Sequence, residues 1–437
     1  MRDSAGAVRL CGSGPICWVS VMWGNASREA DEFMTTLGQN ELLLQRKKRL
    51  IDVMRSRGVP ALLTTDPISI LYATGARNMT VHGFTGPDRF LLLLVDGPTI
   101  LFEFAGCDHL AVGLATIDEI RPAPGITAKK TLYFQEEIDR FADEVLDVCR
   151  RELGGDSLVL AVEKMDFPMT DAFRSRGLAL ADATLVMQLA MAIKQPAEIP
   201  AIRQAMAAVE RATAELEAAI APGATENEVW AAFHHGLIAG GGEVVVSRLL
   251  QSGERTFPYF LESSDHRLVA GDLVCFDTDS IGMLGYSVDF SRTFLCGDGD
   301  ATGVQRFLYA LALEQLRHNS ANLAPGRSFE EFARLAFDVP EPYRNYGYYQ
   351  LAHGLGLAGG HPNVPRIGPG RYGLPGVIEP GMVVCVESYI GDPETRQGVK
   401  LEDQFLIHED HVEQLSHYPL DQRLSNHAPT EFPRRLP

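Results

Sequence analysis

Apolar residues recur every three to four positions along residues 39–57, and this period predicts an amphipathic helix that stops at Gly58. From Pro60 onward the period changes, and short apolar runs of strand length take its place. Two of these runs, at 89–96 and 98–104, are separated by a single glycine, which predicts a tight hairpin. Further helix and strand patterns alternate at residues 134–153, 157–164 and near 168–176. This alternation predicts an α/β unit of about 140 residues.

The pattern changes again after an apolar segment at residues 183–194, where Pro196 and Glu198 supply the start of a new helix. Long helical patterns then stand among strand patterns joined by hairpin turns, up to about residue 415. This order predicts an α+β domain. The predicted divisions are a disordered extension at residues 1–38, an α/β N-terminal domain at 39–182, an α+β C-terminal domain at 183–424 and a tail at 425–437.

Charge and cysteine usage narrow the range of partners. The chain of 437 residues has a formal net charge of −18, which argues against binding to nucleic acid or to an anionic membrane surface. No apolar run reaches the length of about 20 residues that a membrane-spanning helix needs. The 7 cysteines are scattered without a CxxC pair, so we expect free thiols in a reducing cytoplasm. These features favour a cytoplasmic protein, and the acidity alone says little about its substrate.

Three aspartates close to one apolar strand carry the first candidate chemistry. Asp277 and Asp279 are two positions apart, so on an extended strand both carboxylates would point to the same face. A glycine-containing turn follows and can return Asp289 beside them. Acids packed this closely repel one another unless a cation lies between them. The alternative is a polar hairpin with solvated acids, but the apolar residues before Asp277 favour the metal site.

Three further residues extend the candidate metal site. His353 lies between glycines in an apolar segment, which favours a neutral imidazole that can bind a metal, although a lone histidine is also common in protein cores. Glu387 and Glu402 each follow apolar strand residues, where a carboxylate is costly to bury without a partner. One histidine and five carboxylates predict two divalent ions that share bridging carboxylates, with Fe, Mn, Co and Zn all suited to the ligands.

The order Asp, Asp, His, Glu, Glu in a C-terminal α+β domain resembles the pita-bread metallopeptidase family. This family includes methionine aminopeptidase, aminopeptidase P, prolidase and the metal-free creatinase. The resemblance extends from about Gln39 to Leu424 and includes a creatinase-like N-terminal domain and the linker AIKQPAEIPAIRQA. It implies a pita-bread catalytic domain, and since every ligand position is filled, it implies that metal is retained.

The spacing of the aspartates favours one branch of the family. Peptidase members usually place their first two ligand aspartates eleven residues apart, but Thr278 holds that position here. The Asp-Thr-Asp pattern and the stretches SRLLQSGERTFPYF and KLEDQFLI are similar to the bacterial dimethylsulfoniopropionate (DMSP) lyases of this fold. The resemblance to these lyases implies that six positions are metal ligands: Asp277, Asp279, Asp289, His353, Glu387 and Glu402.

Two departures concern the reaction. The lyases place an aspartate that removes the substrate α-proton six residues after the ligand histidine, and this chain has Gly359 there. His361, two residues further on, is a candidate replacement, or it has a structural role beside Pro362. Peptidase members place a histidine for substrate handling shortly after a Ser-Gly pair, but residues 252–260 contain none, which disfavours peptide hydrolysis.

The remaining predictions concern the substrate and the assembly. A sulfonium group is attracted to aromatic faces, and Tyr348 is the candidate catalytic aromatic residue, with Tyr349 and residues 82–84 as further candidates for the pocket. A prolidase-like or aminopeptidase P-like hydrolase is the alternative enzyme, and a binding protein that keeps only the fold is the non-enzymatic one. The resemblance also implies a homodimer, because relatives often complete their pocket with a neighbouring N-terminal domain.

Overall fold

The structure is a computed structural model that describes residues 36–77, 89–125, 134–154, 158–366 and 375–426. Three predicted regions lie wholly or mostly outside the described residues. They are the pocket candidates at residues 82–84, the N-terminal extension up to residue 35, and the predicted 425–437 tail from residue 427 onward. Within the described ranges, no helix has both the length and the apolar character that crossing a membrane requires.

The helices have capping signals that match their sequence. Thr225 and Thr302 each cap a helix in a reciprocal capping box, with Glu228 and Gln305 as their partners. The α-helices of the described residues are α1 (Thr36–Ser56), α2 (Pro67–Thr74), α3 (Phe134–Leu153), α4 (Phe167–Ser175), α5 (Thr184–Ala192), α6 (Ile199–Ala219), α7 (Glu226–Ala239), α8 (Gly303–Ala321), α9 (Phe329–Arg334) and α10 (Gln422–Ser425).

The strands are short in the first half of the chain and longest near its end. In chain order they are β1 (Ala61–Thr64), β2 (Phe90–Leu94), β3 (Thr99–Glu103), β4 (Glu119–Pro122), β5 (Val159–Glu163), β6 (Ala179–Asp182), β7 (Val244–Val245), β8 (Leu250–Ser252), β9 (Leu273–Asp277), β10 (Ser280–Ile281), β11 (Ser287–Val288), β12 (Ser291–Leu295), β13 (Gln350–Gly354), β14 (Gly360–Pro365), β15 (Val383–Asp392), β16 (Gln397–Ile407) and β17 (Val412–Gln414).

The N-terminal half is the predicted α/β unit. Its sheet has the order β4-β3-β2-β1-β5-β6, with β2 and β3 paired as the predicted hairpin and β1 parallel to β5. Helix α3 presents Ile138, Phe141 and Val145 to the core, a spacing that places them on one face. The sheet and α3 therefore share one apolar core, in which Phe90 and Phe102 both contact the ring of Phe141.

Helix α2 was not predicted from the sequence. Asp66 caps it by accepting hydrogen bonds from the backbone amides of Ile68 and Ser69, Pro67 holds its first turn, and Gly75 ends it with φ +82°. These are ordinary start and stop signals, but the helix has only 8 residues, too few for its apolar period to stand out.

The C-terminal half is the predicted α+β unit, and its sheet pairings are antiparallel. A five-stranded sheet has the order β14-β13-β15-β16-β17, and a smaller one has the order β12-β9-β8. Helix α8 packs on β15 and β16 through a second apolar core. A further core cluster joins residues of α1 to residues of α6 and α7, so it crosses the predicted boundary. The exact domain limits therefore stay a prediction.

Candidate metal centre

The register of the five-stranded sheet gathers the glutamates and the histidine. Strands β15 and β16 pair so that Glu387 lies directly opposite Glu402, and β13 pairs with β15 so that His353 lies opposite Cys385. Side chains directly opposite each other in an antiparallel pair are about 5 Å apart at Cβ, where like charges destabilise the sheet. Glu387 and Glu402 are both buried, so this pair requires a cation between or beside the carboxylates.

The three aspartates come from the neighbouring β9–β12 unit. Asp277 is the last residue of β9, and Asp289 lies just before β12, which pairs with β9 along its length. The extended backbone that we predicted through Asp279 is wrong, because Asp279 has φ +31° and lies between two strands. Its carboxylate accepts a hydrogen bond of 2.6 Å from Ser247 Oγ, which holds it in that turn.

The imidazole of His353 is surrounded by three carboxylate oxygens. Its Nε2 lies 3.5 Å from Asp289 Oδ2, 3.3 Å from Glu387 Oε1 and 3.4 Å from Glu402 Oε1. About 3.4 Å is the edge of a tetrahedron around an ion with bonds of about 2.1 Å, the usual length for zinc bound to nitrogen and oxygen. The three distances from His353 Nε2 to these oxygens therefore match the spacing between ligands of one divalent ion.

Several carboxylate oxygens of this cluster are buried without a hydrogen-bond donor. Within the described residues, Asp277 Oδ1, Asp289 Oδ1 and Glu402 Oε1 accept no hydrogen bond from a protein group. A buried, unsatisfied carboxylate oxygen is costly, whereas coordination to a cation compensates for it. The donor set of the six predicted residues thus fits divalent metal ions.

The charges of the cluster act on one another. Burial, together with the negative charges of Glu402 and Asp279, raises the pKa of Asp289 well above its usual value. Burial and the neighbouring Asp277 raise the pKa of Asp279 to about 6. These shifts are the electrostatic cost of gathering several carboxylates in one buried cluster.

Lys400 is a residue of this centre that our sequence reasoning missed. Its Nζ lies 2.6 Å from Glu402 Oε2, 2.7 Å from Glu387 Oε2 and 3.3 Å from Asp277 Oδ2, and it donates a hydrogen bond to Ser291 Oγ at 2.6 Å. The side chain has no exposed surface. Lys400 is two positions before Glu402, so strand alternation places both on one face, and this signal was available in the sequence.

Cys385 is the second residue that the sequence reasoning left out. It is two positions before Glu387 on β15, and its buried Sγ belongs to a group of four possible metal ligands. One ligand atom from each of Asp289, His353, Cys385 and Glu402 lies within 4.8 Å of all the others. Cys385 Sγ and Glu387 Oε1 thus both lie near the imidazole of His353, where we expect a metal ion.

Aromatic residues lie on one side of the carboxylate cluster. Tyr259 donates a hydrogen bond of 2.6 Å from its hydroxyl to Asp277 Oδ2, and the ring of Tyr348 lies 5.5 Å from that of Tyr259. Phe260 stacks on Tyr348 at 6.4 Å and has φ +82°, a strained conformation for a residue with a side chain. Of the predicted pocket residues, the structure thus places Tyr348 beside the metal centre.

His361 lies in a distortion of the sheet next to His353. On β14, Gly360 pairs with Gly354 and Asn363 pairs with His353, so His361 and its neighbour are extra residues in a bulge. The ring of His361 lies 5.5 Å from that of Phe329, and burial lowers its pKa. No hydrogen bond or ion pair of the described residues joins its side chain to the carboxylates, so its catalytic role stays a prediction.

Comparison with known proteins places the chain in a family. The profile of metallopeptidase family M24 matches residues 200–409. DMSP lyase DddP of Roseovarius nubinhibens is 33% identical over 392 residues, which cover 87% of this chain and 86% of the relative. DddP of Roseobacter denitrificans is 32% identical over 393 residues, with the same two shares. The solved prolidase of Pyrococcus horikoshii is 22% identical, with a TM-score of 0.69 over 86% of this chain and 99% of the prolidase.

The chain therefore belongs to metallopeptidase family M24. The prolidase neighbour confirms the predicted fold, a pita-bread domain with a creatinase-like N-terminal domain. The family and the relatives indicate an enzyme that uses divalent metal and acts on a small molecule.

Proposed function

We propose that this protein is a metal-dependent lyase that cleaves a C–S bond in DMSP or a closely similar sulfonium carboxylate. The similarity to two DMSP lyases over most of both chains carries this proposal. The reaction removes a proton from the carbon next to the carboxylate, forms a C=C bond, and releases the C–S electron pair with sulfur. The products are acrylate, dimethyl sulfide and one proton.

The metal centre provides for the carboxylate end of such a substrate. Divalent ions held by the six predicted ligands supply positive charge that binds a carboxylate and stabilises negative charge developing beside it. Tyr259 and Lys400 support one ligand, Asp277, by hydrogen bonding and by charge. Tyr348 and Phe260 present aromatic surface beside this centre, where a sulfonium group gains about 0.5–2 kcal/mol from cation–π attraction.

A proton acceptor is needed as well, and we assign this role to His361. It lies in the bulge beside the strand that carries His353, and burial lowers its pKa, which favours the neutral form that accepts a proton. The lyases resembled here carry an aspartate where this chain has Gly359, and open space surrounds the position of a Cβ at Gly359. The absence of a side chain at Gly359 thus leaves room just before the strand that carries His361.

The second candidate is an Xaa-Pro dipeptidase or an aminopeptidase P-like hydrolase. The match to metallopeptidase family M24 and the fold of the prolidase neighbour favour it. Against it stands the segment that follows Gly253, where Tyr259 occupies the region in which peptidases place a histidine.

The experiment is incubation of metal-loaded protein with DMSP, followed by gas chromatography of dimethyl sulfide in the headspace. A parallel sample receives Xaa-Pro dipeptides and is assayed for free proline. Dimethyl sulfide without proline supports the lyase. Proline without dimethyl sulfide supports the hydrolase and removes the lyase proposal.

A further inference from the structure

The ammonium group of Lys400 lies inside the cluster that is built to hold cations. Its contacts with three of the predicted ligands are shorter than 3.4 Å, and each belongs to a different carboxylate: Asp277, Glu387 and Glu402. The same Nζ lies over the rings of Tyr259 and Tyr348, at 5.7 and 5.4 Å from their centroids. Carboxylates and aromatic faces thus surround this charge, and no water-exposed surface remains on it.

The net charge of the centre explains why an ammonium group lies among these carboxylates. Five carboxylates bring a charge of −5 when ionised, and one ammonium reduces it to −4. Two divalent ions compensate that remainder. With the ions absent, Lys400 is the one Lys or Arg within 4 Å of these carboxylates among the described residues. Carboxylates without any compensating cation would repel strongly in a buried site.

The oxygens that Lys400 contacts differ from those around His353. Lys400 lies beside Oε2 of both glutamates, whereas the imidazole faces Oε1 of both. The two glutamates are therefore shared between a lysine side and a histidine side. An ion on the histidine side would bind the Oε1 atoms, which Lys400 does not contact. Only one carboxylate group would then separate this ion from the ammonium group of Lys400.

We propose that Lys400 is a permanent counter-cation that stabilises the metal-free centre and, by repelling bound cations, weakens its affinity for divalent metal. This inference rests on the metal dependence in the proposed function. It predicts that loss of the lysine charge has opposite effects on the two states. The metal-free protein becomes less stable, and the affinity for metal rises. A lysine that only positions the glutamates would have the reverse effect on affinity.

The test compares chelator-treated wild type with Lys400→Met and with Lys400→Arg, which keeps the charge. Affinity for Mn²⁺ is measured by competition with a fluorescent chelator, and Tm of the metal-free protein by differential scanning fluorimetry. We expect Lys400→Met to bind Mn²⁺ at least about tenfold tighter and to lose more than about 5 °C in metal-free Tm. Lys400→Arg should stay within about threefold of wild type in affinity. Equal or weaker binding by Lys400→Met overturns the proposal.

A matched control removes another buried ammonium. Lys194 is also buried, but its Nζ donates to the backbone oxygen of Ala192, and it takes part in no ion pair of the described residues within 4 Å. Lys194→Met should leave the affinity for Mn²⁺ within about threefold of wild type, since Lys194 lies farther than Lys400 from the ligand carboxylates. A gain equal to that of Lys400→Met would show a general charge effect and overturn the specific role.

A double variant covers the case in which Lys400→Met does not fold without metal. Lys400→Met with Glu387→Gln removes an ammonium and a carboxylate that are 2.7 Å apart. Recovery of metal-free folding in the double variant supports the counter-cation role, and failure to recover contradicts it. None of these measurements uses a substrate, so a protein that releases no dimethyl sulfide still tests the inference.

Discussion

Strand β13 has two neighbours in its sheet, and they differ in what they present to the metal centre. On one side, β15 is buried along its full length and pairs in regular register, so that Cys385 and Glu387 are fixed relative to His353. On the other side, β14 is partly exposed and interrupted by the bulge at His361. The regular neighbour carries the predicted metal ligand Glu387, and the irregular neighbour carries His361, the residue that we propose as the base.

The contrast between β14 and β15 indicates which part of the chemistry the fold determines. A buried carboxylate pair such as Glu387 and Glu402 is tolerated only with compensating cations, so the sheet register itself creates a place for positive charge, of which Lys400 supplies one. The bulge leaves His361 unpaired, and Gly359 lies just before β14, so neither residue is fixed by the pairing of the sheet. Under the proposed function, the predicted metal ligand Glu387 and the proposed base His361 thus lie on opposite sides of one strand.

The largest expected effect is on the ligand side. Asp289→Ala removes a carboxylate next to His353 Nε2, so we expect bound metal to be lost and the rate of dimethyl sulfide release to fall at least about 10³-fold. Metal content is measured by elemental analysis alongside the rate. Asp272→Asn, which lies just before β9 and beside the far end of β12, is the control and should keep both values. Full activity of Asp289→Ala would contradict the assigned centre.

The next effect tests the bulge side. His361→Phe keeps an aromatic ring against Phe329 but removes the proton acceptor, so we expect kcat to fall about 100-fold while metal content is unchanged. Steady-state kinetics with DMSP measure this. A variant with wild-type kcat would assign His361 a structural role beside Phe329 and would require another base.

A rescue experiment sharpens the same comparison. Gly359→Asp places a carboxylate where the resembled lyases have one, and no atom lies within 4 Å of the Cβ position. In the His361→Phe background we expect this change to raise kcat about tenfold. Ala358→Asp is the matched control, one position away, and should give no gain. A gain from both changes would show only a non-specific effect of added charge.

The smallest expected effect concerns substrate binding. Tyr348→Leu removes an aromatic face beside the centre, so we expect KM for DMSP to rise about 2- to 30-fold with little change in kcat. Tyr348→Phe keeps the ring and should retain the wild-type KM. If both variants lose kcat instead, the hydroxyl takes part in catalysis and the binding role is wrong.

The sequence predicted the two types of sheet better than the local geometry, and the ligand assignment stays a prediction. Apolar runs marked the strands, and Asp277 ends its strand as predicted. Glu387 was also predicted at a strand end, which is wrong, because β15 continues through it to Asp392. The left-handed turn at Asp279 was not predictable from alternation, since it depends on Ser247 from a distant segment. Lys400 was missed because a lysine in a strand is usually read as exposed.

The bulge marks the limit of prediction at the candidate site. Only the pairing of β13 with β14 shows that His361 is unpaired and lies beside the strand of His353. That pairing joins segments with several glycines between them, and glycine patterns do not fix a register. At the bulge the two backbones come very close together, because a Cβ atom at Gly354 would lie 2.1 Å from the backbone oxygen of His361.

One measurement tests the central claim most directly: a single sample that contains metal-loaded protein, DMSP and an Xaa-Pro dipeptide, followed by ¹H NMR. We predict that acrylate accumulates at a rate proportional to bound metal and that no free proline forms. Chelator treatment should stop the reaction, and added Mn²⁺ should restore it. Formation of proline without acrylate would show that the metal centre serves hydrolysis, and it would contradict the account of a lyase.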